Sequence, residues 1–195
     1  MTAGAYNGPG FNIHRPPLHH CTNCGAKIDR KVPPGDERER AVCPHCGGIH
    51  YENPKLVVGC IPVFENRILL CKRAIEPRYG YWTLPAGFME NGETTAEGAA
   101  RETHEEAGAA VSGLEAFSML DVPYVHQVHV FYRARLTSPD FSPGAESLDA
   151  QLFTEAEIPW KELSFRTVIE TLKLFFADRK AGKFGFHVLP IIAPR

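Results

Sequence analysis

Three glutamates near the middle of the chain, Glu102, Glu105 and Glu106, have a spacing that could hold a metal ion. They stand at i, i+3 and i+4, and a helix, which turns about 100° per residue, brings such positions to one side. Carboxylates packed this closely repel one another unless a cation lies among them. Hard divalent cations prefer oxygen ligands, so the spacing predicts a site for Mg²⁺ or Mn²⁺.

The flanking residues predict the helix that would carry these carboxylates. Thr94 and Glu97 have the spacing of a capping box, in which the side chain of each residue accepts the backbone N–H of the other. Gly108 is the residue type that ends helices in the left-handed conformation. Gly87 and the other glycines before the helix allow the loop backbone to fold over the same site.

The segment from Gly87 to Gly108, GFMENGETTAEGAARETHEEAG, resembles the Nudix box. Thr103 departs from the family's aliphatic preference, and because it lies on the packing face, the departure bears on local stability rather than on chemistry. The resemblance implies metal-dependent hydrolysis of a pyrophosphate linkage. The residues at the family's fixed positions are Gly87, Glu93, Arg101, Glu102, Glu105, Glu106 and Gly108.

The resemblance also implies roles for these side chains. Glu105 and Glu106 are the expected primary ligands of the catalytic metal, and Glu102 is either a further ligand or the general base. The backbone carbonyl of Gly87 is an additional expected ligand.

Two assignments stay open at this point. The i, i+4 spacing allows Arg101 to pair with Glu97, whereas the resemblance pairs it with Glu93 and so holds the loop against the helix; we favour Glu93. The general base of this family is not always inside the box, and Glu90 and Glu146 are the candidates outside it. A surface role is equally open for both.

Four cysteines near the N-terminus form two C-x2-C pairs separated by 18 residues: Cys21, Cys24, Cys43 and Cys46. Two such pairs supply four thiolates at tetrahedral geometry, which is typical of a structural zinc site without an open position. A module this small buries little core, so Zn²⁺ would supply most of its folding free energy. Two disulfides are the alternative, which an intracellular setting disfavours.

The cysteine module resembles a zinc ribbon, a class that often binds nucleic acid. Between residues 15 and 50, however, six Lys or Arg oppose four Asp or Glu, and four thiolates around one zinc add negative charge. A phosphate-binding patch is therefore not expected. The ribbon is expected to be a structural lid, a dimerisation element or a wall of the substrate site. The alternative function is a nucleic-acid or protein binding module with a non-catalytic Nudix domain.

The fold implied by the resemblance is α/β, the Nudix α/β/α sandwich with a mixed sheet, preceded by the small zinc ribbon. A hairpin turn is predicted at Glu65-Asn66, and Ser164 is predicted to cap an amphipathic helix that ends before Gly182. Predicted strands are 56–64, 67–73, 81–84, 117–122, 128–136 and 152–154, with a final strand in the tail. Predicted divisions are a flexible lead-in at 1–17, the ribbon at 18–53, the Nudix domain at 54–182 and a tail at 183–195.

The overall composition excludes several classes of protein. With 195 residues, 44% apolar and 23% charged, the chain can bury a real core. A net charge of −2 and a pI of about 6.5 provide no general attraction to nucleic acid or anionic membranes. No apolar run approaches the roughly 20 residues that span a bilayer, and the N-terminus lacks a secretory pattern. We therefore expect a cytoplasmic protein without a membrane partner.

The choice of substrate depends on residues outside the box. NADH pyrophosphatases of the family carry Ser-Gln-Pro-Trp-Pro-Phe-Pro downstream, which is absent here, whereas Pro123 stands about where ADP-ribose pyrophosphatases carry a proline. The chain is similar almost throughout to plant zinc-ribbon Nudix enzymes that hydrolyse FAD and ADP-ribose. The resemblance implies FAD or ADP-ribose as substrate, AMP plus FMN or ribose 5-phosphate as products, and a homodimer. Hydrolysis of NADH or another nucleoside diphosphate is the alternative.

Four aromatic side chains could stack on an adenine or flavin ring. These are Tyr81, Trp82, Tyr124 and Phe131. For each of them, packing in the core is the competing role.

Cys60 and Cys71 lie within predicted strands and are expected to be small core residues.

Overall fold

The computed structural model describes residues 18–193, so the predicted lead-in and the last two residues of the tail lie outside the described residues. The chain divides into two compact units, with the division after Pro54. Among the described residues, neither helix is long and apolar enough to cross a membrane.

The first unit contains three short strands, β1 (Asp29–Lys31), β2 (Arg40–Val42) and β3 (Ile49–His50). They form an antiparallel sheet in the order β1-β2-β3. The buried cluster of this unit is small, and half of it is cysteine: Cys21, Ile28, Ala41 and Cys43. Apolar burial on this scale stabilises a fold only marginally, which agrees with the predicted dependence on a metal.

The second unit is built on a mixed sheet with the order β10-β5-β4-β9-β8-β11, in which β6 also pairs with β5 and β7 with β4. β4 runs parallel to β9 and β11 parallel to β8, so the predicted mixed sheet is confirmed. The strands are β4 (Lys55–Phe64), β5 (Arg67–Arg73), β6 (Trp82–Thr83), β7 (Ala86–Phe88), β8 (Val111–Val122), β9 (Gln127–Leu136), β10 (Ser147–Phe153) and β11 (His187–Pro190).

β4 and β5 form the predicted hairpin, with Glu65 at its turn in the left-handed region at φ 55°. β4 lies in the middle of the sheet, and its central residues are buried, as expected for a strand covered on both faces. Cys60 and Cys71 are buried at 0% and 1% exposure, which confirms their prediction as core residues.

The helix α1 (Thr95–Ala107) has the predicted ends. Thr94 is its N-cap and forms a capping box with Glu97, and Gly108 ends the helix at φ 59°. The second helix, α2 (Arg166–Ala181), ends at Gly182 as predicted.

The predicted cap of α2 is wrong. Phe165 occupies the N-cap position without a side-chain hydrogen bond, and the buried hydroxyl of Ser164 has no hydrogen-bond partner among the described residues. The cause lies in the sheet: the Ser164 N–H donates to the carbonyl of Trp82 at 2.8 Å, and Leu163 bridges to Trp82. Residues 163 and 164 are thereby held extended beside β6, and the helix begins only after them.

The two helices cover opposite faces of the sheet, which confirms the α/β/α arrangement. Ala99 of α1 packs with Val58, Cys60 and Ala134. The face toward α2 holds the large core: Ile61, Ile68, Leu70, Phe117, Leu120, Phe131, Val168, Leu172 and Phe175.

Two strands begin earlier than the sequence predicts. β8 starts at Val111 rather than at residue 117, and β10 starts at Ser147 rather than at residue 152. The additional residues of β10 alternate polar and apolar side chains without a continuous buried apolar face, because Leu148 is exposed and Ser147, Asp149 and Gln151 are polar. Hydrophobicity therefore does not reveal them.

Candidate active site

Arg101 ties the loop before α1 to the helix. Its Nε and Nη2 donate to the two carboxylate oxygens of Glu93 at 3.0 and 2.8 Å, and Nη2 also donates to the carbonyl of Phe88 at 3.1 Å. These bonds lower the pKa of Glu93 to about 2. Gly98 makes room for the pair, because a Cβ there would lie 2.5 Å from Glu93 Oε1.

Arg101 therefore pairs with Glu93 and not with Glu97, whose carboxylate accepts the N–H and hydroxyl of Thr94 at 2.8 Å each. The remaining Nη1 of Arg101 donates to Glu102 Oε1 at 2.8 Å and to Glu105 Oε2 at 2.9 Å. One guanidinium thus organises three carboxylates.

Glu102 lies directly against the backbone of the preceding loop. A Cβ on Gly87 would fall 2.3 Å from the Glu102 carboxylate carbon, so only glycine allows this approach. Burial raises the pKa of Glu102, and Arg101 opposes that shift. Thr103 is fully buried, and its hydroxyl donates to the carbonyl of Ala99 at 2.8 Å; the departure from the family pattern therefore leaves no unpaired polar group.

Glu106 is the most buried of the three glutamates, at 7% exposure. Its Oε2 accepts the backbone N–H of Ala86 at 3.3 Å, and it forms no ion pair with any described residue. Burial and the nearby charge of Glu102 raise its pKa to about 8. A carboxylate in this setting gains from a cation placed beside it.

The three carboxylates do not form a compact set of ligand atoms, although Arg101 binds Glu102 and Glu105 and the charge of Glu102 acts on Glu106. Among the described residues, the four cysteines are the group whose potential ligand atoms all lie within 4.8 Å of one another, and the glutamates do not form such a group. The glutamates are spread because Arg101 holds Glu102 and Glu105 while Ala86 holds Glu106. Glu105 is the most adjustable, since its side chain is 56% exposed.

The loop that carries Glu146, a general-base candidate named from the sequence, is bonded to α1 through Gly144, which the sequence did not single out. The Gly144 N–H donates to the carbonyl of Glu106 at 2.9 Å, and the Ser142 N–H donates to the carbonyl of Ala107 at 2.9 Å. A Cβ on Gly144 would lie 1.8 Å from the carbonyl oxygen of Glu105. The loop is thereby held on the last turn of α1, and the charge of Glu146 within it raises the pKa of Glu106.

We expect Gly144→Ala to destabilise the second unit by about 1–3 kcal/mol, because the added methyl group has no space against the α1 backbone. Gly185→Ala is the matched control: its Cβ would meet nothing closer than 3.9 Å, and its effect should stay within about 0.5 kcal/mol. Urea unfolding of the two variants measures the difference. Equal midpoints would show that the loop moves aside at no cost.

Arg73 is a second residue that the sequence did not single out. It ends β5, where its N–H donates to the carbonyl of Tyr81 at 2.9 Å and its carbonyl accepts the Gly80 N–H at 2.8 Å. Its Nε donates to the carbonyl of Pro77 at 2.8 Å, and its guanidinium lies over the ring of Phe165 at 5.2 Å. The side chain is therefore held at the neck of the loop over 74–80.

The guanidinium of Arg73 lies near the acidic site without an ion pair to any described residue. Register explains the proximity: Arg73 pairs with Ser147 of β10, and the Ala74 N–H donates to the carbonyl of Glu146 at 2.8 Å. Burial lowers the pKa of Arg73, and the charges of Glu106 and Glu146 oppose that shift. The sequence offered one indication of this role, namely that Arg73 ends the predicted strand 67–73, which precedes the box.

The structure does not bring all four predicted stacking residues together: Trp82 and Phe131 belong to the large core, whereas Tyr124 is exposed. Trp82 is 6% exposed and packs edge-on against Phe153 at 4.9 Å, and the ring of Tyr81 lies beneath the Arg78 guanidinium at 4.9 Å. Pro123 begins a short 3-10 turn that carries Tyr124, which is 43% exposed. Phe131, 1% exposed, belongs to the core.

The four cysteines of the first unit have the geometry of a tetrahedral thiolate site. All are free, their sulfurs lie within 4.8 Å of one another, and the pairs Cys21–Cys46 and Cys24–Cys43 are 3.6 Å apart. Zinc–sulfur bonds of about 2.3 Å at tetrahedral angles place sulfurs about 3.8 Å apart. Disulfide sulfurs would be about 2 Å apart, so the residues fit zinc and not the disulfide alternative.

The α/β/α sandwich with its glutamate-bearing loop and helix defines a Nudix-type domain. Residues 53–172 match the family model described as the NUDIX domain, and residues 19–52 match that of the Nudix N-terminal zinc ribbon. The chain belongs to the NUDIX family and carries its N-terminal zinc ribbon.

Several known proteins are similar to this chain. A crystal structure of a NUDIX hydrolase from Nitrosomonas europaea superposes with a TM-score of 0.87 at 49% identity, over 89% of this chain and 99% of that chain. The NAD-capped RNA hydrolase NudC of Pseudomonas aeruginosa is 29% identical over 145 residues, or 71% of this chain and 49% of that protein. The ADP-ribose pyrophosphatase of Methanocaldococcus jannaschii is 32% identical over 113 residues, or 56% of this chain and 67% of that protein. The chain thus spans about half the length of the NudC relative.

Proposed function

We propose that this protein hydrolyses the pyrophosphate bond of FAD or ADP-ribose and releases AMP with FMN or ribose 5-phosphate. Water adds across the P–O–P bridge, so each product carries one phosphate. The proposal of hydrolysis rests on Glu106. Its carboxylate is buried, forms no ion pair with any described residue, and experiences the negative charges of Glu102 and Glu146. The substrate is supported by the similarity to an ADP-ribose pyrophosphatase and by the sequence resemblance to FAD-cleaving enzymes.

The glutamates fit a divalent cation, because a buried carboxylate with a raised pKa is stabilised by positive charge. Glu105 and Glu106 would hold the ion, with Glu102 and the carbonyl of Gly87 as further donors. When bound, Mg²⁺ or Mn²⁺ would neutralise phosphate charge and acidify a water molecule. Glu102 and Glu105 would exchange the hydrogen bonds that Arg101 Nη1 donates to them for bonds to the ion.

Glu146 is our proposed general base outside the box, with Glu102 as the alternative within it. The loop that carries Glu146 is bonded to the end of α1, and the charge of Glu146 raises the pKa of both Glu102 and Glu106. Both observations support Glu146 as the base. Glu90 is less suited, because its backbone N–H serves to hold Glu93 at 2.7 Å and no described contact directs its carboxylate toward Glu106.

The reaction is tested by incubating the full chain and Mg²⁺ or Mn²⁺ with FAD, ADP-ribose, NADH and nucleoside triphosphates and separating the products. We expect AMP from FAD or ADP-ribose. A chain that turns over none of these substrates and binds nucleic acid tightly would instead be the non-catalytic binding module.

Cleavage of NAD-type substrates is the second candidate function, because relatives of this chain include NAD-capped RNA hydrolases. Preferred turnover of NADH, or of an RNA with a 5′ NAD cap, over FAD and ADP-ribose would establish it. The homodimer and the cytoplasmic location also stay predictions; sedimentation of the purified protein and microscopy of a tagged chain test them.

We expect Arg73→Gln to lower kcat/KM about ten- to a hundredfold, mainly through KM, because its guanidinium would bind a phosphate of the substrate and a charged hydrogen bond is worth about 1.5–3 kcal/mol. Arg67→Gln, at the opposite end of β5 with an exposed side chain, is the matched control. Steady-state kinetics of AMP release make the comparison. A loss of thermal stability with unchanged KM would assign Arg73 a structural role only.

A further inference from the structure

We propose that His50 is a positioning residue of the zinc site, which donates a hydrogen bond from Nε2 to the sulfur of Cys21. The imidazole belongs to β3, which follows the second cysteine pair, whereas Cys21 belongs to the first. His50 therefore connects the last strand of the ribbon to the opposite pair of zinc ligands.

The contact is direct and specific in its atoms. His50 Nε2 lies 3.3 Å from Cys21 Sγ, and His50 Nδ1 lies 3.4 Å from the hydroxyl oxygen of Thr22. Gly48 leaves the space beside the sulfurs open, since a Cβ there would lie 3.4 Å from Cys46 Sγ and 3.9 Å from His50 Nε2.

The chemistry of the ligand determines which nitrogen carries the proton. A zinc-bound thiolate can only accept hydrogen bonds, so Nε2 must be the N–H. In the neutral ring Nδ1 then accepts, and the Thr22 hydroxyl donates to it. Thr22 thereby holds the tautomer that His50 needs.

This bond complements the backbone donors around the sulfurs. Cys21 Sγ also accepts the Asn23 N–H at 3.4 Å, and the N–H groups of His45 and Cys46 act on Cys43 in the same way. Such donors spread the negative charge of four thiolates around one divalent ion. Partners of this kind typically alter metal affinity tenfold to a hundredfold.

The test is zinc affinity of the full chain, measured by competition with a chromophoric chelator. His50→Phe keeps a ring but removes both nitrogens, and we expect it to bind zinc about tenfold to a hundredfold more weakly. His50→Gln places an N–H the same number of bonds from Cα and should stay near the parent. Thr22→Val should show a smaller loss. His45→Phe is the matched control: it changes an exposed side chain within the second cysteine pair but keeps the backbone N–H that faces Cys43, so it should bind zinc as the parent does.

Cobalt substitution provides a readout that separates positioning from packing. In the Co²⁺ protein, His50→Phe should shift the thiolate-to-cobalt charge-transfer bands while His50→Gln and His45→Phe leave them in place. Equal affinities for His50→Phe and His45→Phe would overturn the proposal. So would a parent spectrum with three sulfurs and one nitrogen on cobalt, because His50 would then be a ligand itself.

Discussion

Replacing Glu106 by glutamine is expected to lower the turnover of FAD or ADP-ribose by about a hundred- to a thousandfold, while the variant stays folded and zinc-loaded. A metal ion contributes several kcal/mol of charge stabilisation to such a reaction, and each 1.36 kcal/mol is tenfold in rate. Glutamine has the shape of glutamate and can still accept the Ala86 N–H, so the loss would come from charge. Rates of AMP release at saturating Mg²⁺ or Mn²⁺, with circular dichroism and zinc content as checks, measure it.

Glu97→Gln is the matched control for this variant. Glu97 lies on the same helix, and its described hydrogen bonds are those of the capping box with Thr94, where glutamine is also accepted. Its turnover should remain close to that of the parent. Near-normal turnover in Glu106→Gln would remove Glu106 from the metal site, whichever nucleotide is the substrate.

The second large effect is expected from Cys43→Ser, which should abolish stoichiometric zinc binding and unfold the first unit. Structural zinc contributes about 10–16 kcal/mol to modules of this kind, far more than the small cluster around Ile28 and Ala41 can replace. Elemental analysis should find about one zinc per parent chain and almost none in the variant. Limited proteolysis should then cut within residues 18–54 and spare the second unit, which has its own core.

Cys60→Ala is the control for cysteine loss outside the ribbon. Cys60 is buried in the second unit, where its thiol donates to the carbonyl of Ala99. The variant should therefore keep its zinc, and its ribbon should stay resistant to proteolysis. A zinc-free parent that is nevertheless folded would contradict the assignment of the four cysteines.

Local rules predicted much of the candidate site. The capping box at Thr94, the end of α1 at Gly108 and the shared side of the three glutamates all follow from helix geometry, which acts within a few residues. Spacing alone could not identify the partner of Arg101, because it favoured Glu97, four residues away, over Glu93, eight residues away. In the structure the capping box occupies Glu97, and Gly98 leaves room for the Glu93 carboxylate beside Arg101.

The start of α2 shows the opposite case. Ser164 has the residue type of an N-cap, but the backbone of Trp82, far away in sequence, holds it in extended conformation. A long-range hydrogen bond therefore overrides a local preference, and no pattern near Ser164 reports it.

The glutamate helix, its glycine-rich loop and the two cysteine pairs can all be identified in the sequence, because the spacing within each of them is set by single turns of the backbone. Arg73 and Gly144 could be found only in the folded protein, because β5, β10 and α1 come together through the register of the sheet. The same register supports Glu146 over Glu90, the other candidate base named from the sequence. The tertiary structure also decided that Glu106 is the buried carboxylate of the three, because burial depends on which strands cover the helix.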